Sequence, residues 1–192
     1  DIVKDKIDRL ESGFVFTYDY FQLRVDQISA LKKVLSRLVK SGKLKKLSKG
    51  KFYKPKNSQF GELKPDIYQV VKDLLEKEGK IIGYITGYSI YSQLGLTTQV
   101  YNTIQIGVNR EKKGTKRGVY KIKFIKQPNT ITKENIPLLR ILDCIRNIKK
   151  IPDTTVENSC IRLKAIIKDF EISDQKLMMK LAMKYNPATR GL

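Results

Sequence analysis

Apolar positions along the first third of the chain fall into helical registers separated by short polar breaks. Ile2, Lys6, Ile7 and Leu10 follow a helical period, predicting a helix over 2–11 that Ser12-Gly13 ends. Phe14-Val15-Phe16 predicts a short extended run, after which Thr17 is expected to cap a brief helix over 18–23. Asp26 reads as the cap of a third helix running to Lys40, because Ile28, Leu31, Val34, Leu35, Leu38 and Val39 make one stripe before Ser41-Gly42. Two short strands over 43–47 and 51–54 follow, joined by Ser48-Lys49-Gly50, where Gly can take the positive φ of a tight hairpin.

The pattern then changes. Lys54 to Gln59 is polar and broken by Pro55, which predicts a linker and a division into domains 1–57 and 61–192. A helix is expected from Pro65-Asp66, carrying Ile67, Val70, Val71, Leu74 and Leu75 on one face, followed by a buried strand over 80–85. Thr86 is expected to cap a short helix with Tyr88, Tyr91 and Leu94, ended by Gly95. Strands over 100–108 and 119–125 are expected to pair across a charged turn over 110–118, and three helices over 134–148, 157–170 and 173–184 to finish the chain. This predicts an α+β fold whose second domain is mixed and closes in a helical segment.

Charge sharpens the picture. With 39 Lys and Arg against 19 Asp and Glu, the net charge is +20, and residues 1–57 hold +9 of it. A field of that sign and density draws nucleic acid or an anionic surface, because Lys and Arg release counterions condensed on phosphates. The polar face of the third helix displays Gln27, Ser29, Lys32, Lys33, Ser36, Arg37 and Lys40, types that reach base edges and phosphates from a helix in the major groove. A solvated basic helix face carries no function by itself. The hairpin that follows decides between the two readings: Leu44, Leu47 and Phe52 can pack on the helix, leaving Lys43, Lys45, Lys46, Lys49, Lys51 and Lys54 outward. Three helices followed by a basic hairpin resemble a winged helix-turn-helix, the stretch from Ala30 to Tyr53 being similar to the recognition helix and wing of bacterial regulators. The resemblance implies base reading by Gln27, Ser29, Lys32, Lys33 and Ser36. It implies phosphate contacts by Arg37 and by a wing carrying Lys45, Lys46, Ser48, Lys49 and Lys51.

Composition excludes much catalysis. With no His, neither a Ser-His-Asp triad nor a His-ligated zinc is available. Cys144 and Cys160 sit in apolar helical patterns without a CxxC partner and are expected to be inert, reduced thiols. Pro65-Asp66 with Glu78-Gly79-Lys80 mimics a metal-dependent nuclease pattern, yet the intervening helix would hold the carboxylates about 18 Å apart. Asp66 is therefore expected to be a helix cap. No phosphate loop or dinucleotide turn occurs, and neither a metal nor another cofactor is implied. Apolar runs are too short for a membrane span and no leader is recognisable, which predicts a cytoplasmic protein. The first residue, Asp1, and the stop soon after Asn186-Pro187 read as trimmed ends.

The stretch Thr86-Gly87-Tyr88-Ser89-Ile90-Tyr91-Ser92-Gln93-Leu94-Gly95-Leu96-Thr97-Thr98-Gln99-Val100 follows Gly61-Glu62-Leu63. With the closing Tyr185-Asn186-Pro187-Ala188-Thr189-Arg190, it resembles the AbiEi-like abortive-infection antitoxins, regulators of viral defence systems. The resemblance implies an operon autorepressor that binds a double-stranded operator with repeats and counteracts a cognate nucleotidyltransferase toxin. No motif marks toxin-neutralising residues, and monomer and dimer stay open. Arg110, Lys112, Lys113, Lys116 and Arg117 are expected at a solvated turn, with contact to DNA or a partner as the alternative reading of the same charges. Tyr84, Tyr88, Tyr91 and Tyr101 are expected to pack rather than stack on bases. A winged-helix protein of plasmid replication, partition or conjugation has the same residue signature; a neighbouring nucleotidyltransferase gene separates the two.

Overall fold

The computed structural model describes residues 2–59 and 61–192. It is α+β. The chain opens with α1 (Ile2–Asp8), β1 (Val15–Thr17), α2 (Ile28–Lys40), β2 (Lys45–Ser48), β3 (Lys51–Tyr53), β4 (Lys56–Ser58) and β5 (Gly61–Leu63). It continues through α3 (Ile67–Leu75), β6 (Glu76–Lys77), β7 (Lys80–Ile81), β8 (Tyr84–Thr86), α4 (Tyr88–Gln93), β9 (Thr103–Val108), β10 (Thr115–Arg117) and β11 (Tyr120–Lys126). It closes with α5 (Ile136–Arg146), α6 (Val156–Lys168), α7 (Ile172–Ala182) and α8 (Pro187–Arg190). The strands form a sheet ordered β1-β3-β2, a sheet ordered β10-β11-β9-β8 and two small hairpins, β4-β5 and β6-β7. The chain divides into two compact units.

The first unit comprises the residues up to Lys72 together with Lys116–Val119. The stripe read from the sequence buries Leu31, Leu35 and Leu38 to 8% exposure or less, with Val34 and Val39 at its margins. At about 1.5–3 kcal/mol per buried side chain, this stripe is what holds α2 in place. Gly42, at φ +76°, turns the chain back, and Leu44, fully buried, donates its N–H to Leu38 O at 3.1 Å. Gly50, at φ +73°, closes the β2-β3 turn, and β1 adds an antiparallel third strand with Phe16 opposite Phe52.

Local details depart from expectation. The segment after β1 is a single 3-10 turn over Tyr18–Phe21. Thr17 does not cap it, since its hydroxyl donates to the Asp19 carboxylate instead. Asp26 likewise caps nothing: it pairs with Arg24 at 3.0 Å in a 3-10 turn over Val25–Gln27 that precedes α2. Lys54, expected outward, turns inward and donates to the carbonyls of Asp8 and Leu10 at 2.8 and 3.1 Å, satisfying acceptors left open where α1 ends. The expected linker is occupied by the β4-β5 hairpin, with Asn57 opposite Glu62, and the first unit extends to Lys72 rather than ending at residue 57. Asp66 does cap α3, its carboxylate accepting from Gln69 N at 3.2 Å.

The second unit comprises Asp73–Thr115 and Tyr120–Leu192. The strand expected over 80–85 is split. Glu78 and Gly79 both take positive φ in the β6-β7 turn, and β8 starts only at Tyr84. β9 and β11 are paired as expected, but parallel, with Ile122 opposite Ile104. Parallel strands need a crossover longer than a hairpin turn, and the residues between β9 and β11 supply it. Thr86 does not cap α4: Gln105 Oε1 accepts from Tyr88 N at 3.1 Å, leaving the Thr86 hydroxyl for another partner. Gly87 is required there, at φ +66°, because a Cβ would overlap the Gln105 amide. The three expected C-terminal helices are present, each slightly shorter than the periodicity suggested, and α8 is added, capped by Asn186. Among the described residues, no helix is long and apolar enough to cross a membrane.

Candidate nucleic-acid interface

The face of α2 opposite its buried stripe displays Ser29, Lys32, Lys33, Ser36, Arg37 and Lys40, all exposed. Gln27 is exposed too, but stands before the helix, and its side-chain oxygen accepts from Arg24 N at 3.2 Å. Its orientation is thus set by the turn that starts α2. Lys32 is held differently. Its ammonium lies 5.6 Å from the centre of the Tyr18 ring, which packs on Phe52 and touches the Gly50 turn. A cation over an aromatic face is worth about 0.5–1 kcal/mol at an exposed site, enough to bias the rotamer of a long side chain. Tyr18 therefore ties the helix face to the base of the hairpin, a role no periodicity announces.

On the hairpin, Lys46 and Lys49 are exposed, while Ser48 and Lys51 are half-buried. Lys45 is paired with Glu62 at 3.3 Å, and Glu62 also accepts from the Tyr53 hydroxyl. A phosphate would have to displace that carboxylate to engage Lys45. Of the basic residues expected at the 110–118 turn, Arg110, Lys112, Lys113 and Lys116 are exposed, and Lys112 stacks over Phe124. Arg117, expected there with them, is instead only 8% exposed and donates to Val70 O at 2.6 Å, so its charge is spent on a helix carbonyl.

The second unit holds a polar centre that the sequence reading missed. Asp143, on α5 and 1% exposed, accepts from Tyr84 OH at 2.6 Å and Thr86 Oγ1 at 2.8 Å on one oxygen. On the other it accepts from Tyr185 OH at 3.0 Å and pairs with Arg146 at 3.0 Å. Gln127 donates to both phenols at 2.7 Å, and its oxygen accepts from Asn129. Asn129 in turn donates to Leu181 O in α7. Burial, reinforced by the Asp143 carboxylate, pushes both phenols above the ordinary tyrosine value, so they remain donors at neutral pH. Burial also pushes the Cys144 thiol up, which keeps it protonated and unreactive. Among the described residues every buried side-chain polar atom has a partner, and no cluster of acids and cysteines is arranged to hold a metal. The centre therefore works as a saturated clamp that ties β8 and the end of α7 to α5. One signal was available in the sequence: Asp143 is the lone carboxylate from Leu138 to Cys144, a stretch otherwise apolar except for Arg140. Tyr84 and Tyr91 are buried, as expected of packing residues, and Tyr88 stacks on Tyr101 at 4.4 Å, both half-buried.

A search of curated proteins returned no match. A sequence model of the family described as "Family of unknown function (DUF6088)" matches residues 2–175. That match spans the α2 face, the basic hairpin and Asp143 itself, though not its partner Tyr185, and the chain therefore belongs to the DUF6088 family.

Proposed function

We propose that this protein is a sequence-specific, double-stranded DNA-binding regulator whose first unit acts as a winged helix-turn-helix. We further propose that it is the antitoxin and operon autorepressor of a toxin–antitoxin pair directed against a nucleotidyltransferase toxin. The observation that carries the DNA reading is the exposure of Ser29, Lys32, Lys33, Ser36 and Arg37 along α2, directly before a hairpin that exposes Lys46 and Lys49. The order α1, β1, 3-10 turn, α2, β2, β3, with the sheet running β1-β3-β2, supports it, since a recognition helix is then followed by a wing anchored on the same core. The antitoxin part rests on the resemblance of the chain, over nearly its whole length, to the AbiEi-like antitoxins.

Footprinting on the DNA upstream of the gene, across a salt series, is expected to give repeated protected half-sites. No protection beyond that of random duplex would sink the reading. Within it, Lys33→Ala is expected to cost about 1–3 kcal/mol on the operator and to relax specificity at one position. Lys49→Ala should weaken operator and random duplex alike and lower the salt slope by about one. Equal losses on both duplexes for every α2 variant would remove the base-reading assignment.

A further inference from the structure

The sheet order β1-β3-β2 leaves β2 as an edge strand, and edge strands expose backbone groups that must be paired, covered or hydrated. Residues far along the chain cover this one. Gly118 donates its N–H to Leu47 O at 2.7 Å, just before the β2-β3 turn. It does so at φ +55°, a region glycine enters without strain, and a Cβ at that position would press within 3.3 Å of the Leu47 side chain. The adjacent Arg117 supplies a second anchor, its guanidinium buried and donating to Val70 O. The segment Lys116–Val119 is accordingly part of the first unit, although some forty positions separate it from the rest of that unit in sequence. With Gly118 docked and Arg117 spent internally, Lys116 is the one cation of this segment turned to solvent.

We infer that the wing is composite: Lys116 is a DNA-backbone contact, held near the outer edge of β2 by the docking of Gly118 on Leu47, with Arg117 and Gly118 as positioning residues. Successive Cα atoms are 3.8 Å apart, so Lys116 begins within about 8 Å of the docked Gly118, and a lysine stem extends its ammonium well beyond the strand edge. The chemistry is that of a point charge on phosphate, which adds affinity and salt dependence without reading sequence. The inference rests on the DNA-binding reading above and deepens it by adding a contact that lies outside the helix and hairpin.

Fluorescence anisotropy of the full chain on an upstream duplex and on a random duplex of equal length, from about 50 to about 200 mM salt, tests it. Lys116→Ala is expected to weaken both duplexes severalfold and to lower the slope of log affinity against log salt by about one, as Lys49→Ala does. Arg117→Ala, although it touches no DNA, should lower the slope by the same amount, and adding it to Lys116→Ala should lower the slope no further. A merely structural role for Arg117 would change melting temperature while leaving the slope intact. Lys168→Ala, an exposed lysine on α6, is the charge-matched control and should leave the slope unchanged. A wild-type slope in Lys116→Ala alongside a reduced one in Lys49→Ala overturns this inference alone, as does an equal reduction in Lys168→Ala. Failure of the wild-type chain to bind either duplex overturns the DNA reading and this inference with it.

Discussion

Asp143 concentrates the strongest residue-level commitments in the molecule. A carboxylate 1% exposed is stable only if its charge is paired and its lone pairs are filled, and here an arginine, two phenols and a hydroxyl do both. Asp143→Ala strands Tyr84 OH, Thr86 Oγ1, Tyr185 OH and a half-buried guanidinium at once. A loss of about 3–5 kcal/mol in denaturant unfolding is expected, with Tyr185→Phe costing about 1 kcal/mol. The phenols also set a pH limit. Their pKa is raised in the folded state, so the native protein holds protons that the unfolded chain releases above about pH 10, the ordinary tyrosine value. Stability from this source is complete below that pH and falls as pH rises through it. Unfolding midpoints measured across the alkaline range should therefore decline above pH 10 in the wild type, and less steeply in Tyr84→Phe. None of these partners is a sequence neighbour of Asp143 except Arg146: Tyr84 lies 59 positions away and Tyr185 42. No periodic pattern reports a contact over such distances, which is why the centre was illegible beforehand.

At the scale of elements, α2 and the hairpin after it were readable because each is specified by signals a few residues apart. A stripe at helical spacing, a glycine at the helix end and a glycine in the turn suffice. The capping residues were read less well. Thr17, Asp26 and Thr86 are all of a capping type and none caps: the hydroxyls of Thr17 and Thr86 are oriented to donate to Asp19 and Asp143, Asp26 pairs with Arg24, and the cap position of α4 falls on Gly87. Capping depends on which partner wins locally, and composition alone does not decide that. The parallel pairing of β9 with β11 was equally hidden, since alternation reports that a strand has two faces and says nothing of its neighbour's direction. The antiparallel pairing of β8 with β9, which sets Tyr84 opposite Gly107, has a tight point: a Cβ at Gly107 would come within 2.5 Å of Tyr84 Cζ, a ring already clamped to Asp143. Gly107→Ala should cost about 1–3 kcal/mol by overpacking and shift the near-ultraviolet tyrosine signal, whereas a silent substitution would mean that the ring is not held as described.

For the molecule as a whole, the +20 charge is an electrostatic statement about partners rather than about the fold. Under the proposed DNA-binding reading, the exposed α2 face and the lysines of the β2-β3 hairpin give that charge an organised surface in the first unit. The proposed antitoxin activity belongs to the whole chain. Co-expression with a neighbouring nucleotidyltransferase gene is expected to restore growth, and the unchanged toxicity of that gene product would count against it. Arg117, the mistaken member of the exposed basic set, illustrates how molecular scale overrides residue type: an arginine in a charged stretch reads as solvated until a helix carbonyl 47 positions upstream claims it. Sequence by itself determined the α+β class, the amphipathic α2, the basic hairpin and the Asp66 cap, since periodicity, turn residues and capping residues act over a few neighbouring positions. Tertiary structure alone decided the rest. The Asp143 clamp, the parallel strand pair and the covering of the β2 edge by Gly118 each satisfy buried or exposed backbone and polar groups with partners distant in the chain, and such demands become definite only when the chain has closed on itself.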